Sequence, residues 1–336
     1  MSEYLEHIKI AVRKTDVLSP TSYSWFGQEG PKLSMRIQRA MTANTARRYL
    51  LHQLQTRLYN DFYIRGVASS AMWVEDGCAM DSNAFVEALS NANAGQGCWE
   101  SGWEVVAPAS GEIVVRKTGL TLWVRPEDCR AENGEPMRSG GMLCLHLPKE
   151  LLSVSPGYYM ALGARGDDSG GTRPLVRLYW NLRAECAEGF VRGATLALNE
   201  ASLFFRLKVL NDPKAYTRCD AGVVYVYRDE YAAVARALRH VYREVAREMK
   251  PRTPMFTKAV AAGVGVAEDP RLAESFGQHR CRLLADGMIQ AYERQARSFE
   301  QRLQVVLERY LMEGIELSRP YLEPASADIY TYSWLE

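Results

Sequence analysis

The chain has 336 residues, with 41 Lys plus Arg against 40 Asp plus Glu and a net charge of +1. Apolar residues make up 47% and charged residues 24%, which excludes wholesale disorder and leaves core enough for two domains or one large one. So even a charge balance argues against a general nucleic-acid binder, and no apolar run reaches the ~18–20 residues of a membrane span.

The N-terminal stretch MSEYLEHIKI alternates charged and apolar residues and lacks a signal peptide's apolar centre, so a cytoplasmic location is expected. The cysteines, Cys78, Cys98, Cys129, Cys144, Cys186, Cys219 and Cys281, are odd in number, widely spaced and without a CxxC pair. They read as reduced thiols, not as a zinc site or a disulfide framework.

In chain order, the first hundred residues read as mainly helical. Leu51, Leu54, Leu58 and Phe62 recur at helical spacing, and Gly66 is a stop signal. AFVEALSNANAGQG, at 84–97, is a short helix running into a turn. From Trp103 the period changes to that of strands. WEVV, GEIVVR and LTLWVR are β-branched runs, with Lys117-Thr118-Gly119 as a hairpin turn. MLCLHL, YYMALG, PLVRLYWNL, FVRGATLAL, LFFRLKVL and GVVYVY read as further strands, and GARGDDSGGTRP, at 163–174, as a mobile surface loop. Two amphipathic helices close the chain. Residues 229–249 carry Val234, Leu238, Val241, Val245 and Met249, and residues 286–313 carry Met288, Tyr292, Ala296, Phe299, Leu303, Val306 and Tyr310. The expected class is α+β, a central antiparallel or mixed sheet with flanking helices. Residues 1–100 are expected as a mainly helical region and 101–336 as the α+β region, or the two as one continuous domain, since no composition break fixes an edge between them.

Several chemistries lack their signatures. There is no phosphate-binding GxxxxGK[ST], no GxSxG, no HExxH and no kinase HRD or DFG, and the five histidines show no metal-ligand spacing. The densest constellation is FFRLKVLNDP, followed by YTRCD and VVYVY. In a strand, Arg206 and Lys208 share one face and Leu207 and Val209 the other. The returning strand shows Tyr225 and Tyr227 together, and Arg177 and Tyr179 share a face of an earlier one. Lysine is scarce, nine against thirty-two arginines. Neighbouring positive charge and partial burial disfavour an ammonium, which is how a lysine becomes a general base. The alternative is two basic residues on a solvated strand. Arg177, Arg206, Arg218 and Arg280 are candidates for a cluster holding phosphate by forked hydrogen bonds, although periodicity does not bring them together.

FRLKVLNDPKAYTRCDAGVVYVY, PMFTKAVAAGVGVAEDP and SFGQHRC, with SPGYYMALG and LYNDFYIRG, resemble the HopA-type effector family over most of the chain. That family includes a plant-pathogen type III effector and the lyase subunits of class V lanthipeptide and thioamitide biosynthesis. The resemblance implies a phosphothreonine-lyase-like core that eliminates phosphate from phosphoserine or phosphothreonine, leaving dehydroalanine or dehydrobutyrine. Its implied partners are a phosphorylated precursor peptide and a separate Ser/Thr kinase of the same pathway, in a complex or apart, with no nucleic acid, membrane, metal or organic cofactor. It implies Lys208 as the base, with Arg206, Arg218 and Arg280 as phosphate ligands and Lys258 as a weaker one. Phosphothreonine lyases carry a Lys-x-His strand before the base. Here Arg177 takes the lysine's place, and Tyr179, ordinarily a weak acid near pKa ~10, stands where the histidine would, with His279 as the competing acid. Two other readings remain: an effector-like protein binding a host or partner protein through a degenerate site, and a scaffold for the kinase and precursor.

Overall fold

Of the helical stripe Leu51, Leu54, Leu58 and Phe62, the last three are buried, and Leu50 replaces Leu51 as the fourth core position. Leu50, Leu54 and Leu58 repeat every four residues, so they stack on one helix face. The computed structural model describes residues 3–67, 81–109, 111–132, 138–152, 154–270, 272 and 274–330. It divides into two units, one of residues 1–74, 218–220 and 251–331, the other of 75–217, 221–250 and 332–336. The first hundred residues are therefore shared between the units.

The first unit opens with α1 (Glu3–Lys14), β1 (Thr15–Ser19), β2 (Ser22–Trp25), β3 (Gln28–Glu29), α2 (Met35–Ala40) and α3 (Ala43–Leu58). Its three strands form an antiparallel sheet inside a stretch expected to be helical. They are too short for alternation to announce them, and buried Tyr23 and Trp25 anchor the middle one. A π-helical turn at Tyr59–Tyr63 continues α3. The chain then turns at Gly66, whose φ is +63° and where a Cβ would stand 2.2 Å from the Thr253 carbonyl oxygen. Only glycine tolerates both conditions.

The second unit follows with α4 (Ser82–Ala92), β4 (Cys98–Ala109), β5 (Glu112–Lys117), β6 (Leu120–Val124), β7 (Cys129–Ala131) and β8 (Met142–Leu147). These strands make an antiparallel sheet in the order β6-β5-β4-β8-β7. One face buries Trp103, Val105, Val115, Leu143 and Leu145. Thr118 and Gly119, at φ +46° and +82°, make the expected hairpin turn between β5 and β6.

A second group of strands comprises β9 (Glu150–Leu151), β10 (Tyr158–Leu162), β11 (Leu175–Trp180), β12 (Arg206–Leu210) and β13 (Gly222–Tyr227). They lie side by side as β11-β13-β12-β10-β9, all antiparallel. Val176, Leu178, Leu207, Val209, Val224 and Val226 are buried on one face. Two helices belong to the same unit, α5 (Ala184–Glu200) and α6 (Tyr231–Val245). FVRGATLAL, expected as a strand, is part of α5. Phe190, Val191, Ala194 and Leu198 are buried at helical spacing, and a period near four overrides the β-branched composition. Gly193 lets α5 approach α6, since a Cβ there would lie 3.2 Å from both Val241 methyls. Val234, Leu238, Val241 and Val245 of α6 are buried as expected.

The loop at 163–174, expected to be mobile, is tied down. Asp167 accepts from the Tyr227 hydroxyl at 2.5 Å, and Arg173 donates to Asp229 at 2.6 Å.

The first unit resumes with the antiparallel pair β14 (Lys258–Ala261) and β15 (Val264–Glu268), then α7 (Phe276–Glu293) and α8 (Phe299–Met312). The single helix expected over 286–313 is thus broken. Gln295 sits at φ +57°, and Ser298 with Gln301 forms a capping box that starts α8 afresh. Asp286 straps three helices, accepting from Arg47 of α3 and Arg309 of α8, each at 2.6 Å. Eight α-helices with antiparallel sheets, among the described residues, make the protein α+β. None of those helices is long and apolar enough to cross a membrane.

Candidate functional site

The candidate residues of the second unit gather on the sheet face opposite Val176, Leu178, Leu207 and Val224. Arg177 of β11 is paired with Tyr225 of β13, which is paired with Arg206 of β12. The three therefore form one row across three strands. The next row is Tyr179, Val223, Lys208 and Met160. Antiparallel pairs project to the same side, so Arg177, Tyr179, Arg206 and Lys208 share a face, as alternation within each strand predicts. Arg177 and Arg206 stand two strand spacings apart, about 10 Å between backbones. That is a span two guanidinium arms close around one phosphate group.

Aromatic rings line the gap. The Lys208 Nζ lies 4.3 Å from the centre of the Tyr158 ring and 5.6 Å from that of Tyr225. The Arg177 guanidinium carbon lies 5.2 Å from the Tyr225 ring. Tyr225 is thus flanked by two cations, and both it and Tyr158 are half-buried. Among the described residues Lys208 makes no ion pair or hydrogen bond. Arg206 has 39% of its side chain exposed, and the Glu100 carboxylate stands 3.8 Å away.

Glu100 is committed elsewhere. It is buried and accepts from Lys117 at 2.6 Å, while Lys117 also donates to the Ser101 carbonyl at 2.7 Å. Lys117 reaches the Asp167 carbonyl at 3.4 Å. Burial works to raise the Asp167 carboxyl, but hydrogen bonds from Ser169 and Tyr227 prevail and hold it at about 2. The Tyr227 ring stacks on Phe204 at 4.3 Å, so β13 and the residues just before β12 are braced against each other.

The remaining candidates lie in the first unit and have other occupations. Arg218 makes a forked pair with Asp220, at 2.5 and 2.7 Å. Lys258 donates to Asp328 at 2.8 Å. Arg280 is fully buried, and its nitrogens are spent on the Pro320 and Leu322 carbonyls, on Glu323 and on the His279 ring. It braces the chain after α8 against α7. His279 is buried beside it. Desolvation, then the Arg280 charge, push the imidazole down to about 4, so it is neutral at pH 7 and has no imidazolium proton to give.

Tyr225 and Tyr158 join the candidate site by their contacts with Lys208 and Arg177, and strand alternation alone does not single them out. The signal lay in Tyr225 sharing a strand face with Tyr227, but only register shows which cations it meets. The six described cysteines are all free thiols, with Cys98 and Cys186 pushed up to about 11 by burial, and Cys78 lies outside the described residues. No group of three His, Cys, Asp or Glu side chains arranged for a metal occurs among the described residues.

Two solved structures are similar to this chain. The effector protein from Pseudomonas syringae pv. tomato strain DC3000 is 13% identical, with 83% of this chain and 96% of that one covered and a TM-score of 0.46. The effector protein from Pseudomonas syringae pv. syringae strain 61 is 14% identical, with 87% and 100% covered and a TM-score of 0.42. No curated protein matches the sequence. The profile of the HopA1 effector protein family matches residues 151–322, just over half of the chain, with strands β10 to β13 inside the match. This chain belongs to the HopA1 effector protein family.

Proposed function

We propose that this protein is a phosphoserine/phosphothreonine lyase that acts on a precursor peptide phosphorylated by a separate kinase, in the biosynthesis of a ribosomal peptide of the lanthipeptide or thioamitide kind. One observation carries the reading: a lysine without a carboxylate partner among the described residues, set between two tyrosine rings and one row from an Arg-Tyr-Arg line.

The chemistry asks for two things on one surface. A base must take the Cα proton of the phosphorylated residue, and cations must hold the phosphate as it departs with the Cβ–O bonding pair. Lys208 Nζ takes the proton. The Cα–H electrons form the Cα=Cβ double bond, the Cβ–O bond breaks, and phosphate leaves onto Arg177 and Arg206. Tyr225, between those cations, supplies the hydrogen bond to the departing oxygen, with Tyr179 one row along. The products are a dehydroalanine or dehydrobutyrine residue and inorganic phosphate. The scheme draws on the base and the cations and invokes no metal or organic cofactor. Arg218, Lys258, His279 and Arg280 stay outside this scheme because their partners already occupy them.

The test is mass spectrometry of a phosphothreonine-bearing peptide incubated with the protein and a chelator, with K208A alongside. Loss of phosphoric acid and thiol trapping of the dehydro-residue, both absent in K208A, is the expected result. Recovery of the free hydroxyl would mean a phosphatase. An unchanged peptide, with the kinase also supplied, would favour the effector-like or scaffold reading, in which the same face binds without turnover.

A further inference from the structure

Strand β6 is an edge of its sheet, and among the described residues its outer side has no backbone partner. Edges are normally shortened, charged or bulged to prevent pairing. In this protein β3, β7 and β9 are two or three residues long, and β1 is bulged and carries Asp16. Strand β6, Leu-Thr-Leu-Trp-Val, has five residues with no charge, proline or bulge. In a hairpin closed by a two-residue turn the residues flanking the turn bond to each other, and bonding alternates thereafter. Leu120, Leu122 and Val124 therefore bond inward to β5, whereas the N–H and C=O groups of Thr121 and Trp123 point outward.

The side chains describe the missing strand. Leu120, Leu122 and Val124 pack on the sheet core yet stay half-buried, so the core's rim is open at this edge. A further strand with an apolar residue at every second position would close it. On the other face Trp123 is 64% exposed, a broad ring for a neighbouring strand to cover. Position matters as well. The turn end of β6 adjoins Lys117, which is bonded to Glu100, which in turn stands 3.8 Å from Arg206 of the site.

We infer that β6 receives the substrate peptide as an added antiparallel strand, through an extended segment that precedes the phosphorylated residue and is apolar at alternate positions. Antiparallel addition matches every other pairing in this sheet. It points the peptide's C-terminal direction at the turn end, towards Arg206 and Lys208. The inference rests on the lyase reading for its substrate, but its test does not depend on turnover.

The probe is a labelled peptide with a Val-Thr-Val-Thr-Val run, a Gly-Ser spacer and then phosphothreonine. Its binding to the full chain is followed by anisotropy and by amide hydrogen exchange. Thr121 and Trp123 amides should slow at least tenfold on binding. Methylating alternate backbone nitrogens of the run should weaken affinity at least tenfold with every side chain kept. T121P, which removes an outward N–H and no bond to β5, should weaken it as much and leave elimination from a short phosphopeptide unchanged. Equal binding of the methylated and unmethylated peptides, or no protection at Thr121 and Trp123, overturns the inference. Protection of those amides that rises with protein concentration and needs no peptide also overturns it, in favour of a second copy on the edge. Intact short phosphopeptide with peptide-dependent protection overturns the lyase reading and leaves the edge assignment standing.

Discussion

Lys258 and Arg280 in the first unit, and Lys208 and Arg206 in the second, are the same two residue types in opposite surroundings. Lys258 is bonded to Asp328, and Arg280 to two carbonyls, a carboxylate and a histidine. Among the described residues Lys208 faces aromatic rings, and Arg206 neighbours a carboxylate that a buried lysine already holds. A basic side chain spent on partners inside the protein stabilises the fold, whereas one left open on a sheet face is available to a substrate. Residue type does not distinguish the two roles; partners do.

The contrast is sharpest in Lys208→Ala. Loss of a general base costs about 10²- to 10⁴-fold in rate, so elimination from a phosphothreonine peptide should fall by that factor. Urea unfolding should shift by no more than about 0.5 kcal/mol, as for a half-exposed side chain without a bonded partner. A large loss of stability would place Lys208 with the structural cations and break the comparison.

Arg280→Met should do the reverse. It strands Glu323, His279 and two carbonyls in a buried site, and breaking such a pairing costs about 3–5 kcal/mol. Urea unfolding of the variant measures it directly. A small change would show that Arg280 was held in reserve for another task.

Acid should probe the same cluster. His279 is held at about 4 in the fold against 6.5 when free. Between those values the unfolded chain binds more protons, so stability falls as pH drops from 6.5 towards 4. The loss is at most about 3.5 kcal/mol, from ~1.4 kcal/mol per pKa unit. Chemical denaturation across that interval checks it, and His279→Gln should flatten the curve there. Asp167, held at about 2, acts in a separate window, with its stabilisation retained above about 3.8 and lost as pH falls towards 2.

The smallest effect belongs to Lys258→Met. Its pair with Asp328 is partly exposed, with 15% and 23% of the side chains accessible, and such pairs are worth about 0–1 kcal/mol. Salt titration of the thermal midpoint in wild type and variant would resolve it.

Much of the second unit was legible locally. The β5–β6 hairpin, the separation of Arg206 and Lys208 from Leu207 and Val209, and the apolar stripe of α6 all follow from periods of two and nearly four. Legibility failed where local signals compete. β-branched residues in 190–198 suggested a strand although their spacing was helical, and a continuous stripe over 286–313 concealed the Ser298 capping box that divides it.

By itself the sequence determined which side chains share a strand face, because alternation is a property of one backbone, and it carried the motifs by which the family is known. Tertiary structure decided the rest. Register between β11, β13 and β12 set Arg177, Tyr225 and Arg206 in one row, and chain segments remote in sequence supplied Asp328 to Lys258 and Glu323 to Arg280. Whether a cation is satisfied or left for a ligand depends on groups brought from far along the chain, and no local period encodes those.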